Sequence, residues 1–168
     1  HATRCVPIIH LLIEQGFEVL LASDGDALQL LQLEFPKLTS FELPSYNIEY
    51  GHHFAFSVLK RVPHILSTIK RERQAIETIA KNTGAEIIIS DNRYGCYTSF
   101  TKNIFVCHQH YLLVPVFSDL ANSLHRKLLR KFEQHWIPDM EEPKAKFAGK
   151  LSISILPNVH YIGPLSRF

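Results

Sequence analysis

The segment Ala85-Glu86-Ile87-Ile88-Ile89-Ser90 constrains the fold more than any other part of the chain. Three consecutive isoleucines favour an extended backbone, and neighbouring side chains of a strand point to opposite faces, so this run needs apolar cover on both sides. A parallel strand inside a sheet with helices on each face has that cover. Ile104-Phe105-Val106-Cys107 repeats the character, so both runs are expected as central strands. With 168 residues, a hydrophobic fraction of 46% and a charged fraction of 20%, the chain has the material for a core of this kind in one domain.

Helical and extended patterns alternate along the rest. Val6, Ile9, Leu12 and Ile13 recur at helical spacing after Thr3, a possible cap, and Gly16 ends that helix. A short strand over Phe17 to Ala22 leads through Ser23-Asp24-Gly25-Asp26 into a second helix, and Thr39 to Leu43 reads as another strand. A long helical stretch follows from about His53 to Asn82, with Pro63 expected to kink or split it and Gly84 to close it. After the two apolar strands come a helix from about Asp119 to Glu133, a strand near His135 to Ile137 and a last strand over Asn158 to Ile162. Asp139 to Lys150, flanked and interrupted by Pro138 and Pro143, is expected as a mobile loop. This alternation predicts an α/β fold with a doubly wound, mostly parallel sheet and helices on both faces.

Composition excludes several functions. Eighteen Lys and Arg against 16 Asp and Glu leave a net charge of +2. The basic segments Lys60-Arg61, Lys70-Arg71-Glu72-Arg73 and Arg126-Lys127 with Arg130-Lys131 are diluted by acids and lack interleaved aromatics, so they read as solvated helix faces and not as a nucleic-acid surface. Three cysteines, Cys5, Cys96 and Cys107, with no CxxC pair, argue against a disulfide scaffold or a cysteine zinc site and fit a reducing cytoplasm. No run approaches the roughly 20 apolar residues of a membrane span, and the opening residues lack the layout of a signal peptide. The sole methionine is Met140, so residues upstream of position 1 are expected. Tyr111 to Phe117, apolar almost throughout, reads as core, with an acceptor channel or a membrane-touching patch as alternatives.

Ligands of doubly wound sheets bind outside the carboxyl ends of the strands. That rule selects Asp91-Asn92-Arg93-Tyr94-Gly95 after one apolar strand and His108-Gln109-His110 after the next. His1-Ala2-Thr3-Arg4, leading into the first helix, shares that edge if a strand precedes it. Each cluster also has a plain structural reading. Asp91-Asn92 can be an Asx turn or a cap, and Arg93 can simply pair with Asp91. His108 and His110 point to opposite sides of an extended chain and do not form a shared metal site without a sharp turn. His10, His52, His53 and His64 read as ordinary surface or packed side chains.

These landmarks, taken in order, resemble a known family. His1-Ala2-Thr3-Arg4, the amphipathic helix, Gly16 and the strand Phe17 to Ser23 resemble the start of nucleotide-sugar glycosyltransferases of the GT-B architecture, the MurG-like group in particular. Ser90 to Gly95, Val106 to Gln109, His135 to Asp139 and Asn158 to Leu165 resemble successive landmarks of the same domain. The resemblance implies a Rossmann-like, acceptor-side N-terminal domain spanning residues 1–168 that lacks its first strand and the C-terminal donor domain, and is therefore inactive alone. It implies transfer of a sugar from a nucleotide-sugar donor, bound mainly by the absent domain, to a sugar or lipid-linked acceptor hydroxyl. No cofactor or metal is called for.

The same resemblance implies residue roles. His1 is the candidate base, oriented or stabilised by Asp91, while Thr3 and Arg4 face the donor diphosphate. Asn92, Arg93, His108 and Gln109 hold the acceptor. It implies a cytoplasmic location, with peripheral contact at the inner membrane face left open. The alternative class is a non-catalytic binding or regulatory domain of Rossmann type.

Overall fold

Val6 and Ile9 form the buried stripe of the first helix, α1 (Ala2–Glu14), in a computed structural model that describes residues 2–46, 54–113, 118–142 and 147–165, with residues 54–62 described by backbone alone. Pro7 removes one backbone hydrogen bond near the start of α1 without ending it. Thr3, expected as the cap, lies inside the first turn, because the helix already runs at Ala2. Gly16, at φ 81°, takes the left-handed conformation that stops α1. The order then runs β1 (Leu21–Ser23), α2 (Gly25–Glu34), β2 (Ser40–Glu42), α3 (Phe54–Thr83), β3 (Ile87–Asp91) and β4 (Lys102–Val106). It continues with α4 (Ser118–Leu129), β5 (Gln134–Ile137), a 3-10 turn over Gly149–Ser152 and β6 (Val159–Tyr161).

Among the described residues every strand pairing is parallel, as the apolar runs imply, and the fold is α/β. The strands form two sheets and not the single one expected: β1 pairs with β2, and β3, β4, β5 and β6 pair in chain order. β4 is an interior strand, with Phe105 and Val106 almost inaccessible. β3 is not; it borders the four-stranded sheet, and Ile87 is 41% exposed. The register sets Ile88 beside Asn103 and Ser90 beside Phe105, so these residues share one face. Ile76 of α3 packs there on Ile88, and Leu129 of α4 packs on Phe105. Ile89 and Asp91 point the other way, toward α1, whose Arg4 and Cys5 bond Asp91. Helices therefore cover both faces. Pro63 sits within α3, which continues through it.

One buried carboxylate organises the middle of the molecule. Thr68, Ile69, Glu72, Ile76 and Ala80 form the inward stripe of α3, and Glu72 has no solvent exposure. Arg93 donates from Nε to Glu72 Oε1, while Glu72 Oε2 accepts from the Tyr46 hydroxyl at 2.5 Å and the Gly95 amide at 2.8 Å. Arg93 also donates to the Asp24 carboxylate and to the Pro44 carbonyl at 2.7 Å. Asp24 flanks α2 but makes no side-chain cap bond; its carboxylate serves Arg93. Gly95 is required here, because a Cβ would collide with the Ile69 carbonyl and lie 2.6 Å from Glu72 Oε2.

Three further expectations are corrected. Lys70 to Arg73 is not uniformly a solvated face: Glu72 is buried, and the Arg73 guanidinium lies 4.7 Å from the centre of the Tyr97 ring. Asp139, placed at the start of a mobile loop, is fully buried and accepts from the amides of Met140, Phe147 and Ala148 at 2.8, 2.8 and 3.2 Å, which anchors the segment. In the apolar stretch after His110, Tyr111 and Leu113 are exposed and not core, while 114–117, like His52 and His53, lie outside the described residues.

Replacing Glu72 by Ala removes one partner of a buried ion pair and leaves the Arg93 charge partly uncompensated. Urea unfolding is expected to show a loss of about 3–5 kcal/mol, whereas Lys81→Ala in the exposed Lys81–Glu77 pair should barely move the midpoint.

Candidate functional site

The ends of β3 and β4 and the start of α1 meet at one edge. Asp91 is the last residue of β3, His108 follows β4, and Arg4 lies in the first turn of α1. Arg4 donates from Nε to Asp91 Oδ1 at 2.8 Å, makes a second bond to that oxygen through its terminal nitrogen, and places its other terminal nitrogen 3.1 Å from His108 Nδ1. Residues separated by 87 and 104 positions are thus joined through one guanidinium. Arg93 does not pair with Asp91 and is not free to hold a ligand, because its donors serve Glu72, Asp24 and Pro44.

The protonation pattern follows from donor chemistry. A guanidinium only donates, so His108 Nδ1 must accept and the neutral ring carries its proton on Nε2. Burial, followed by the adjacent Arg4 charge, moves the His108 pKa below the ordinary histidine range, with Asp91 acting in the opposite direction. His108 therefore presents a hydrogen-bond donor at neutral pH. The Cys5 thiol lies 3.3 Å from Asp91 Oδ2; burial, then the Asp91 charge, pushes its pKa up to about 12, so it stays protonated and donates.

The two turns carrying the site are fixed from beneath. Asn92 adopts φ 56°, a left-handed conformation that asparagine tolerates better than most residues, and its Oδ1 accepts from the Cys107 thiol at 3.3 Å. The Gln109 amide donates to Cys107 Sγ at 3.1 Å, and its carbonyl accepts from His125 Nε2 at 2.9 Å. With Nε2 donating, the neutral His125 ring accepts the Tyr94 hydroxyl at Nδ1, 3.2 Å away. Gln109 itself is exposed, as is Thr3. His110 turns inward; its amide donates to the Leu151 carbonyl at 2.8 Å and its ring meets His135 edge to face, with centroids 5.3 Å apart.

The structure brings Arg4, Asp91 and His108 into contact, holds Asn92 and Gln109 in the adjoining turns, and leaves Thr3 exposed on the first turn of α1. His1 lies outside the described residues. Asp91, expected to orient His1, is bonded to Arg4 and Cys5, and Arg4, expected to face a diphosphate, has its charge opposed by Asp91. Glu72 and Cys5 were missed as structural partners of these turns; the signal for Glu72 is a carboxylate four residues before Ile76 on the apolar stripe of its helix. Among the described residues no group of three or more His, Cys, Asp and Glu side chains is arranged to hold a metal ion, and no helix is long and apolar enough to cross a membrane. The chain matches no protein-family model, no curated protein and no solved structure.

Two measurements test this geometry. Arg4→Ala is expected to raise the His108 pKa toward the ordinary value near 6.5, read by NMR titration of the ring, because it removes a neighbouring positive charge and leaves Asp91. His110 and His135 bear on stability: burial, with neighbouring histidines adding to it for His110, lowers their pKa values to about 3 and about 4. The unfolded chain therefore binds more protons than the folded one below about 6.5, and stability should be full above that value and fall progressively toward pH 4. The urea midpoint followed between pH 7.5 and 4 should decline, and His135→Phe should flatten the decline.

Proposed function

We propose that this chain is the acceptor-binding half of a glycosyltransferase that moves a sugar from a nucleotide-sugar donor to an acceptor hydroxyl, working with a donor-binding domain. The observation that carries the reading is the joining of Arg4, Asp91 and His108 at the carboxyl edge of a parallel sheet, where α/β folds bind their ligands. The opposed charge of Arg4 and the neutral, donating Nε2 of His108 suit an uncharged polyol better than a phosphate. His108 and Gln109 are assigned to acceptor hydroxyls, and the exposed Thr3 with the start of α1 to the donor phosphates. Asp91 is a positioning residue: it holds Arg4, which fixes the tautomer of His108.

In the proposed reaction the acceptor oxygen attacks the anomeric carbon of the donor sugar while its proton passes to the imidazole of His1. The bond from that carbon to the diphosphate oxygen breaks, and the nucleoside diphosphate leaves with the electron pair. His1 is assigned as base on the family resemblance, with its place directly before α1 as support.

The test is sugar transfer by the protein carrying its donor domain, assayed with a panel of nucleotide sugars and hydroxyl acceptors. His1→Ala should lower kcat by about 10²–10⁴-fold with the fold unchanged. Asp91→Asn should cost less and shift the pH profile. Near-normal turnover by His1→Ala would remove the base, and an absence of transfer with every donor and acceptor would favour a binding domain.

A further inference from the structure

Helix α4 inverts the usual arrangement of a surface helix. Asn122, His125 and Leu129 recur at helical spacing and are buried, whereas Leu120 and Leu124 face solvent, Leu120 at 67% exposure. Turning an asparagine and a histidine inward is costly unless their polar atoms are used, and here they are. Asn122 Oδ1 accepts from the Leu112 amide at 2.8 Å, while its Nδ2 donates to the Leu112 carbonyl at 3.0 Å and to the Ser118 carbonyl at 2.9 Å. One side chain thus satisfies both backbone groups of Leu112, as a neighbouring strand would.

His125 acts one turn further along the helix. Its Nε2 donates to the Gln109 carbonyl at 2.9 Å, and its Nδ1 accepts from the Tyr94 hydroxyl at 3.2 Å. A second contact of that carbonyl is a long one, 3.7 Å from Cys107 Sγ. Tyr94 belongs to the turn after β3, which carries Asn92, and Gln109 belongs to the turn after β4, which carries His108. The imidazole therefore joins, beneath the site, the same two turns that Arg4 joins through Asp91 and His108. Its ring meets Tyr94 edge to face with centroids 5.7 Å apart, and the Tyr94 ring lies 5.3 Å from that of Phe105 in β4. Apolar side chains at positions 122 and 125 could hold α4 on the sheet equally well, but they would leave the Gln109 carbonyl and the Leu112 backbone without these partners.

We infer that His125 is a positioning residue of the candidate site, assisted by Asn122: by bridging Tyr94 and Gln109 it sets the spacing of the two turns, and with it the place from which His108 and Gln109 address a ligand. The bridge itself is independent of any reaction; its effect on an acceptor rests on the reading of His108 and Gln109 as acceptor contacts. Arg4 and His125 divide the task. Arg4 fixes which nitrogen of His108 carries the proton, and His125 fixes the path of the backbone that follows.

The test uses the protein carrying its donor domain and exploits a difference in reach. A glutamine side chain can bring its amide nitrogen to the position of histidine Nε2, whereas asparagine is one carbon shorter. His125→Gln should therefore retain the bond to the Gln109 carbonyl, and His125→Asn should lose it. Acceptor KM is expected to rise about 10-fold in His125→Asn with kcat unchanged, the pattern of a lost binding contribution, and to stay near the wild-type value in His125→Gln. In NMR spectra of the histidine rings, His108 should keep its wild-type signals in His125→Gln and shift or double in His125→Asn. Equal acceptor KM and equal His108 signals in the two variants would overturn the inference, because a residue that merely fills space does not distinguish them. Should His125→Asn fail to fold, Tyr94→Phe decides, since it frees one end of the bridge and keeps the ring. A raised KM with wild-type kcat and altered His108 signals supports the inference there, and an unchanged KM with unchanged signals overturns it. If the wild-type protein transfers no sugar, the proposed reaction fails and the His108 spectra alone judge the bridge.

Discussion

A carboxylate held away from water is tolerable only when other groups replace its hydration, and Glu72 imposes that requirement on the centre of this molecule. Its oxygens receive Arg93, Tyr46 and the Gly95 amide, which come from the turn after β3 and the segment after β2. The remaining reach of Arg93, to Asp24 and Pro44, extends the same cluster to the start of α2 and the exit of β2. One guanidinium therefore links the two-stranded unit to the four-stranded sheet. The apolar cluster of Leu43, Ile76 and Ile88, with Ala22 against it, reinforces that link without supplying direction. Dispersion and burial bring such surfaces together; a five-donor planar fork determines how they are oriented.

The candidate site inherits its geometry from this arrangement. Asp91 and Asn92 immediately precede Arg93, and the Ser90 hydroxyl closes the turn on the Arg93 carbonyl at 2.6 Å. The turn after β4 is held independently by Cys107 and His125. Arg4 then spans from α1 to both turns, so its bonds to Asp91 and His108 are made between frames that are already fixed. The aspartate and arginine two residues apart in one turn have distinct roles here: Asp91 faces α1, whereas Arg93 turns toward the interior.

Much of the fold was legible from the chain itself. The isoleucine run, the apolar run ending at Cys107, and Gly16 and Gly84 each mark an element boundary or strand through local physics, and each appears near its expected place. The division into two sheets was not legible, because a run of isoleucines reports the cover it needs and not the number of neighbours present. The gathering of Asp91 and His108 at one edge was readable from parallel topology. The partners they would choose were not, since Arg4, Arg93, Asp24 and Glu72 offer several charge-balanced pairings in sequence, and only packing distinguishes them. Glu72 stood inside a basic segment, where average charge concealed its position on the inward stripe of α3. Pro63 does not split the long helix, which continues through it from Phe54 to Thr83.

The thiols have a consequence of another kind. Cys5 donates to Asp91, Cys107 to Asn92, and Cys96 is buried beside Glu72; burial is the leading cause that moves all three pKa values upward, to about 12 for Cys5 and about 11 for Cys107. Alkylating agents and peroxides attack the thiolate, so the native chain conceals its sulfur chemistry. Opening of the α1–β3 edge uncovers Cys5 first, separation of the Glu72 cluster uncovers Cys96, and loosening of the turn after β4 uncovers Cys107. The three sulfur atoms thus form a positional record of which part of the structure has come apart, written in the order in which they become reactive.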